Sequence, residues 1–207
     1  MYRCVGRKEA FHPAVGGDEN SRLLSMSKAI GMVELQTVSA GIQSADMMLK
    51  TAEVEVIESQ PVCPGKYIVI ITGDLSAVKA SVDSVKSKFD SKVMGSFVLG
   101  NPHDSIFPAL YGATKVEDVK ALGVLETFNA ADIIMAADAA AKTSLVDLIE
   151  LRVARGMCGK SYMLITGDVA AVSAAIERAQ QEVSEDGMLL DSSVIPNPDK
   201  RLWESIL

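Results

Sequence analysis

Hydrophobic positions along the chain fall into short runs and helical stripes that alternate. Ala29 to Leu35 is an apolar segment that predicts a strand, and Ile42, Ala45, Leu49 and Ala52 recur at helical spacing, predicting a helix over about 39–53 with that stripe in the core. A strand over 54–60 and a short loop follow, and then Tyr67 to Ile71 is a continuous apolar run of the kind a buried strand shows. Asp74 stands where it can cap a helix reaching about Phe89, and Val93 to Leu99 predicts a last strand. The order strand, helix, strand, strand, helix, strand describes an α/β sandwich unit.

The same order is written a second time. Ala29-Ile30-Gly31-Met32-Val33-Glu34-Leu35 returns 92 positions later as Ala121-Leu122-Gly123-Val124-Leu125-Glu126-Thr127, and Asp46, Lys50 and Val54 fall on Asp138, Lys142 and Val146. Thr72-Gly73-Asp74 matches Thr166-Gly167-Asp168 at an offset of 94, and Val98, Asn101, Pro102 and Phe107 match Val194, Asn197, Pro198 and Trp203 at 96. Ile134, Ala137 and Ala141 repeat the apolar stripe of the first helix. Residues 111–120 are polar enough to connect the copies, with the boundary near Ala113. Residues 1–26, mixing Gly, Pro and charge, have no counterpart and read as a flexible tail, so 27–112 and 113–207 are the expected domains.

Composition narrows the function. The chain has 207 residues, 48% hydrophobic and 23% charged, which suits a folded protein with one large or two small domains. Its net charge of -7 argues against a nucleic-acid partner, because an acidic surface repels a phosphate backbone. No run approaches the roughly 18 apolar residues of a membrane helix, and no apolar signal core follows the basic start, so no membrane association and a cytosolic location are expected. Three cysteines (Cys4, Cys63, Cys158) without CxxC spacing exclude a disulfide framework or an ordinary zinc finger. Two histidines, His12 and His103, leave little for imidazole catalysis.

The candidate chemistry lies in two loops and two helix ends. Pro61-Val62-Cys63-Pro64-Gly65-Lys66 and Arg155-Gly156-Met157-Cys158-Gly159-Lys160 precede equivalent strands, and their Pro and Gly imply fixed backbones. A cysteine held there is a metal ligand, a reactive thiol or a small buried hydrophobe. Lys50 and Lys142 lie near the ends of equivalent helices, where a solvated lysine is the default and a lysine donating to a neighbour's backbone carbonyls is the alternative. The Thr-Gly-Asp segments lack a glycine-rich cradle and read as helix caps, not phosphate sites.

Taken together, Ala29-Ile30-Gly31-Met32-Val33-Glu34, Asp46 to Val54, Asp138 to Val146 and Gly73 to Val78 resemble the bacterial microcompartment (BMC) shell proteins, over residues 29 to about 207. Two copies in one chain resemble the tandem subclass. That resemblance implies two ferredoxin-like α+β units, a homotrimer with a pseudohexameric outline, and assembly with neighbouring shell proteins in a bacterial cytoplasmic compartment enclosing enzymes, redox enzymes among its possible partners. Lys50, Lys142, Asn101 and Asn197 then stand at tile edges, the asparagines where the family often carries arginine. Cys63, Pro64, Gly65, Met157, Cys158 and Gly159 then line the central opening.

The Val62-Cys63-Pro64-Gly65-Lys66 loop and the Ser193 to Pro198 ending resemble a branch from propanediol-utilisation compartments. In that branch this cysteine binds an iron-sulfur cluster at the trimer centre. The resemblance therefore implies Cys63 as a metal ligand, one per subunit, holding a shared 4Fe-4S cluster for electron relay or cluster exchange, and no catalytic residues. A cubane cluster takes four ligands, so three symmetry-related thiolates plus a small non-protein ligand satisfy the count. Met157 aligns with Cys63, which leaves Cys158 a ligand, a reserve or inert. Two rivals stay open: the same tile with an empty pore passing metabolites, and a thiol enzyme or redox sensor using Cys63 without an identified base.

Overall fold

The computed structural model describes residues 29–116, 119–184 and 187–206. The expected tail, with Cys4 and His12, lies outside the described residues. The first copy comprises β1 (Ala29–Leu35), α1 (Val38–Thr51), β2 (Val54–Val62), β3 (Lys66–Gly73), α2 (Leu75–Phe89), β4 (Val93–Leu99) and a short α3 (Ile106–Leu110). The second comprises β5 (Ala121–Thr127), α4 (Ala130–Thr143), β6 (Asp147–Arg152), β7 (Ser161–Gly167), α5 (Val169–Ser184), β8 (Leu189–Ile195) and α6 (Lys200–Ile206). Among the described residues no helix is long and apolar enough to cross a membrane.

Each copy forms a four-stranded antiparallel sheet, ordered β2-β3-β1-β4 and β6-β7-β5-β8, the ferredoxin-like arrangement. The duplication extends to irregularities. Register shifts occur between Val56 and Glu58 and between Leu148 and Glu150, and again between Glu34 and Leu35 and between Glu126 and Thr127. Two helices cover one face of each sheet. Gly31 and Gly123 allow the close approach: a Cβ at Gly31 would stand 2.5 Å from Val78, and one at Gly123 would stand 2.8 Å from Val172.

The other face of the first sheet packs against the second copy. Ile30, Met32, Ile68, Ile70 and Phe97 join Ile133, Ile134 and Ala137 of the second copy in one continuous core, with α3 folded over it. On the second sheet the equivalent face is only partly covered. Trp203 of α6 seals Leu122, Ile149 and Leu164, while Val124, Glu126 and Tyr162 stay half-exposed.

This asymmetry corrects the expected core stripe of the first helix. Ile134, Ala137 and Ala141 of α4 are buried, but Ile42 is 56% and Leu49 52% exposed, and Ala45 and Ala52 are half-buried. The helix buries Ala40, Gly41, Ser44 and Met48 against its own sheet instead. The reason is physical: α4 lies between two sheets of the same chain, whereas α1 has only one.

Helix capping also differs from expectation. Asp74 occupies the N-cap position of α2, but its side chain makes no capping bond. The carboxylate of Asp168 instead meets Lys120 at 3.1 Å. Side-chain caps are made by Thr37 and Asn129, which accept from the backbone N–H groups of Ala40 and Asp132, and by Asp199, which accepts from the Arg201 N–H at the start of α6.

Candidate functional site

The two cysteine loops, 94 residues apart in sequence, meet in the fold. The first is a tight turn between β2 and β3, closed by Gly65 N–H donating to the Val62 carbonyl at 2.9 Å. Cys63, Pro64 and Gly65 are all exposed at its tip. Exposure of Cys63 removes the alternative of a small buried hydrophobe. The second loop, 153–160, is anchored by Ala154 N–H donating to Ser161 Oγ at 2.9 Å and by Arg155 pairing with Glu58 of β2 at 2.7 Å. Burial, then the charge of Glu58, pushes the nearby Tyr111 phenol up.

Gly159 is the contact point. It is buried at φ 89°, and a Cβ there would stand 3.2 Å from Lys66 Nζ, 3.3 Å from the Cys63 carbonyl oxygen and 3.4 Å from Pro64 Cδ. A side chain would therefore be strained in the left-handed region and would push the loops apart. Cys158 precedes it, exposed and itself left-handed at φ 54°, and Met157 is half-buried. Cys63, Pro64, Gly65, Met157 and Cys158 are thus brought together at the junction of the copies, with Gly159 buried between the two loops.

The described residues of one chain do not by themselves gather a metal site. Among the described residues no three His, Cys, Asp or Glu side chains gather where they could hold a metal ion, and Cys63 and Cys158 are free thiols. Soft thiolate donors suit iron-sulfur chemistry, and a four-iron cluster at Cys63 would need ligands beyond the two described thiols of one chain.

Two polar joints below these loops tie the copies together. Glu34 is fully buried on the sheet face, where it accepts from Lys66 Nζ at 2.9 Å and from Ala130 N–H, in the first turn of α4, at 3.1 Å. A carboxylate at a helix N-terminus satisfies an orphan N–H and meets the positive end of the helix dipole. The second joint is at the other end of α4. Lys142 Nζ donates to the Asn101 carbonyl at 2.6 Å and to Asp138 at 2.6 Å, while His103 N–H donates to Asp138 at 2.8 Å. Among the described residues Lys50 in α1 pairs with Asp46, at 2.7 Å, both side chains standing in solvent; Asn101 and Asn197 are also exposed.

The Glu34 joint was not read as a site, although a glutamate inside an otherwise apolar strand, present in both copies as Glu34 and Glu126, was a signal; Lys142 and Asn101 of the second joint are among the expected tile-edge residues, but their meeting inside one chain was not legible.

On the exposed face of the second sheet, Tyr162 donates to Glu150 at 2.8 Å. Burial, then this hydrogen bond and the charge of Glu150, push the phenol up to about 12.

Comparison with known proteins agrees with this architecture. The BMC domain family matches residues 29–102 and again 121–198. The chain is 38% identical over 182 residues to the bacterial microcompartment shell protein PduT of Citrobacter freundii, covering 88% of this chain and 99% of that protein. It is 33% identical over 85 residues to the carboxysome shell protein CcmK2 of Thermosynechococcus vestitus, covering 39% of this chain and 83% of that one. Among solved structures, a microcompartment protein from Desulfitobacterium hafniense superposes with a TM-score of 0.79 at 45% identity, over 86% of this chain and 99% of that one. The fused permuted hexameric shell protein MSM0275 shares the fold at a TM-score of 0.58 and 22% identity, over 76% of this chain and 82% of that one. The chain belongs to the BMC-domain shell proteins of bacterial microcompartments, with two copies of the domain in tandem.

Proposed function

We propose that three of these chains close head to tail into a pseudohexameric tile of the compartment wall, and that Cys63 from each chain ligates one shared 4Fe-4S cluster on the central axis. The observation that carries the ring is the half-used joint. Within the chain the second copy's α4 fills the outer face of the first sheet, leaving the Ile42 and Leu49 side of α1 and the Val124, Glu126 and Tyr162 part of the second sheet's outer face uncovered. A joint of this kind is heterologous, and repeating it between chains generates a closed ring when the rotation fits. Three chains of two domains supply the six positions that the family resemblance implies.

The exposed tip of the Cys63 loop supports the ligand assignment, since three-fold closure brings three identical thiols toward one axis. A cluster there would supply one-electron transfer or be passed on whole. The chain's own residues hold it: Cys63 donates sulfur, Gly65 and Gly159 fix the two loops, and Arg155 braces the second loop on Glu58. The role is structural and redox, not conversion of a metabolite. Neighbouring shell tiles and enclosed redox enzymes are the partners this reading implies.

Anaerobic reconstitution tests the cluster. Wild-type protein should turn brown and retain stoichiometric iron and sulfide, and Cys63→Ser should fall to background. Colourless wild-type protein, or full retention by Cys63→Ser, would contradict the ligand assignment and favour a tile with an open pore.

A further inference from the structure

We propose that Asp46 and Lys50 form a chain-to-chain clamp that grips the backbone of residues 197–199 of a second copy of this chain. The proposal rests on the ring reading above and adds the contact that latches it. Its template is already formed once within the chain. Asp138 and Lys142, one turn apart on α4, hold the segment after β4: the lysine takes the Asn101 carbonyl and the aspartate takes His103 N–H. Both halves of this contact recur in sequence. Asp46 and Lys50 precede Asp138 and Lys142 by 92 positions, and Asn197 and Asp199 follow Asn101 and His103 by 96.

The recurrent halves have the right chemistry and are available. The contact uses a backbone carbonyl and a backbone N–H, which Asn197 and Asp199 offer regardless of their side chains. Asp138 is 8% exposed where its clamp is closed; Asp46 is 62% exposed, and Lys50 73%. Around the open pair runs a groove of about 340 Å³ lined by Gln43, Asp46, Met47, Lys50, Thr51 and Lys88. Lys88 adds a second cation suited to carbonyl oxygens. The apolar residues Ile42 and Leu49 flank the pair and correspond to Ile134 and Ala141, both buried, Ile134 within the core that the two copies share. In the ring, Lys50 donates to the carbonyl of Asn197 of the partner subunit, and Asp46 accepts from the N–H of Asp199 of the partner subunit.

The test is sedimentation velocity of the full chain over a dilution series, comparing wild type with Lys50→Gln, Asp46→Asn and the exposed control Lys79→Gln. Circular dichroism checks that each variant is folded. Loss of one charge-assisted bond per joint should weaken association by about tenfold. The control should match wild type. Where association is too tight to dilute apart, subunit exchange between two differently tagged samples, read by native mass spectrometry, should be about tenfold faster in the clamp variants. An oligomeric wild type whose clamp variants associate and exchange unchanged overturns the clamp and leaves the ring standing. A wild type that stays a single chain at every concentration overturns both.

Discussion

Replacing Glu34 with alanine should open the joint between the two copies from the inside. The carboxylate is 0% exposed and has two partners, Lys66 Nζ at 2.9 Å and the Ala130 N–H at 3.1 Å. Its removal leaves an ammonium that is only 17% exposed without its counter-charge and strands a helix N–H. Breaking a buried ion pair costs about 3–5 kcal/mol, and the lower end applies because Lys66 retains some access to water. For a chain of this size about 3 kcal/mol corresponds to a fall in melting temperature of about 6–12 °C. Scanning calorimetry at one fixed protein concentration reads it, since assembly shifts apparent stability by mass action. Glu34→Gln retains one acceptor and should lose about half as much. The counterpart Glu126→Ala removes a half-buried carboxylate on the open sheet face and should cost the dissociated chain less than about 1 kcal/mol. A Glu34→Ala protein melting within about 2 °C of wild type would refute the reasoning.

The helices offer a matched pair: Ile134→Ala should destabilise the chain by about 2–5 kcal/mol in urea, whereas Ile42→Ala should cost the dissociated chain less than about 0.5 kcal/mol, because Ile134 is 0% and Ile42 56% exposed. Equal losses would show that the two helices have the same surroundings. Tyr162, held neutral by burial and by its bond to Glu150, should titrate about 2 units above the ordinary tyrosine value of 10.0, read as a late phenolate absorbance step absent from Tyr162→Phe. Because the folded-state value is raised, its stabilising contribution is complete below pH 10 and is lost as pH rises through about 12. A titration in which every tyrosine ionises near 10 would contradict it.

The strand and helix order was legible because each element carries its own period, and the internal repeat read each element twice. Asn129 was passed over as a cap and the helix 106–110 as an element, since a five-residue helix carries too little periodicity to register. The exposed positions of α1 misled for a deeper reason. Ile42 and Leu49 are as apolar as a core demands, and nothing local distinguishes a stripe that meets its own chain from one that its own chain leaves uncovered. Cys63 and Cys158 stood out through the Pro and Gly around them, but the meeting of their loops depends on Gly159 packing on the Cys63 carbonyl across the copies, which is tertiary information. Glu34 lay in plain view within an apolar strand; its partners come from the first residue of β3 and from a helix start 96 residues away.

Native mass spectrometry of anaerobically purified protein tests the central claim most directly, because it weighs chains and inorganic cargo together. The account predicts one particle of three times the 22.0 kDa chain mass plus a single four-iron, four-sulfide increment. A particle of one or two chains, or a three-chain particle with no iron-sulfur mass, would contradict it.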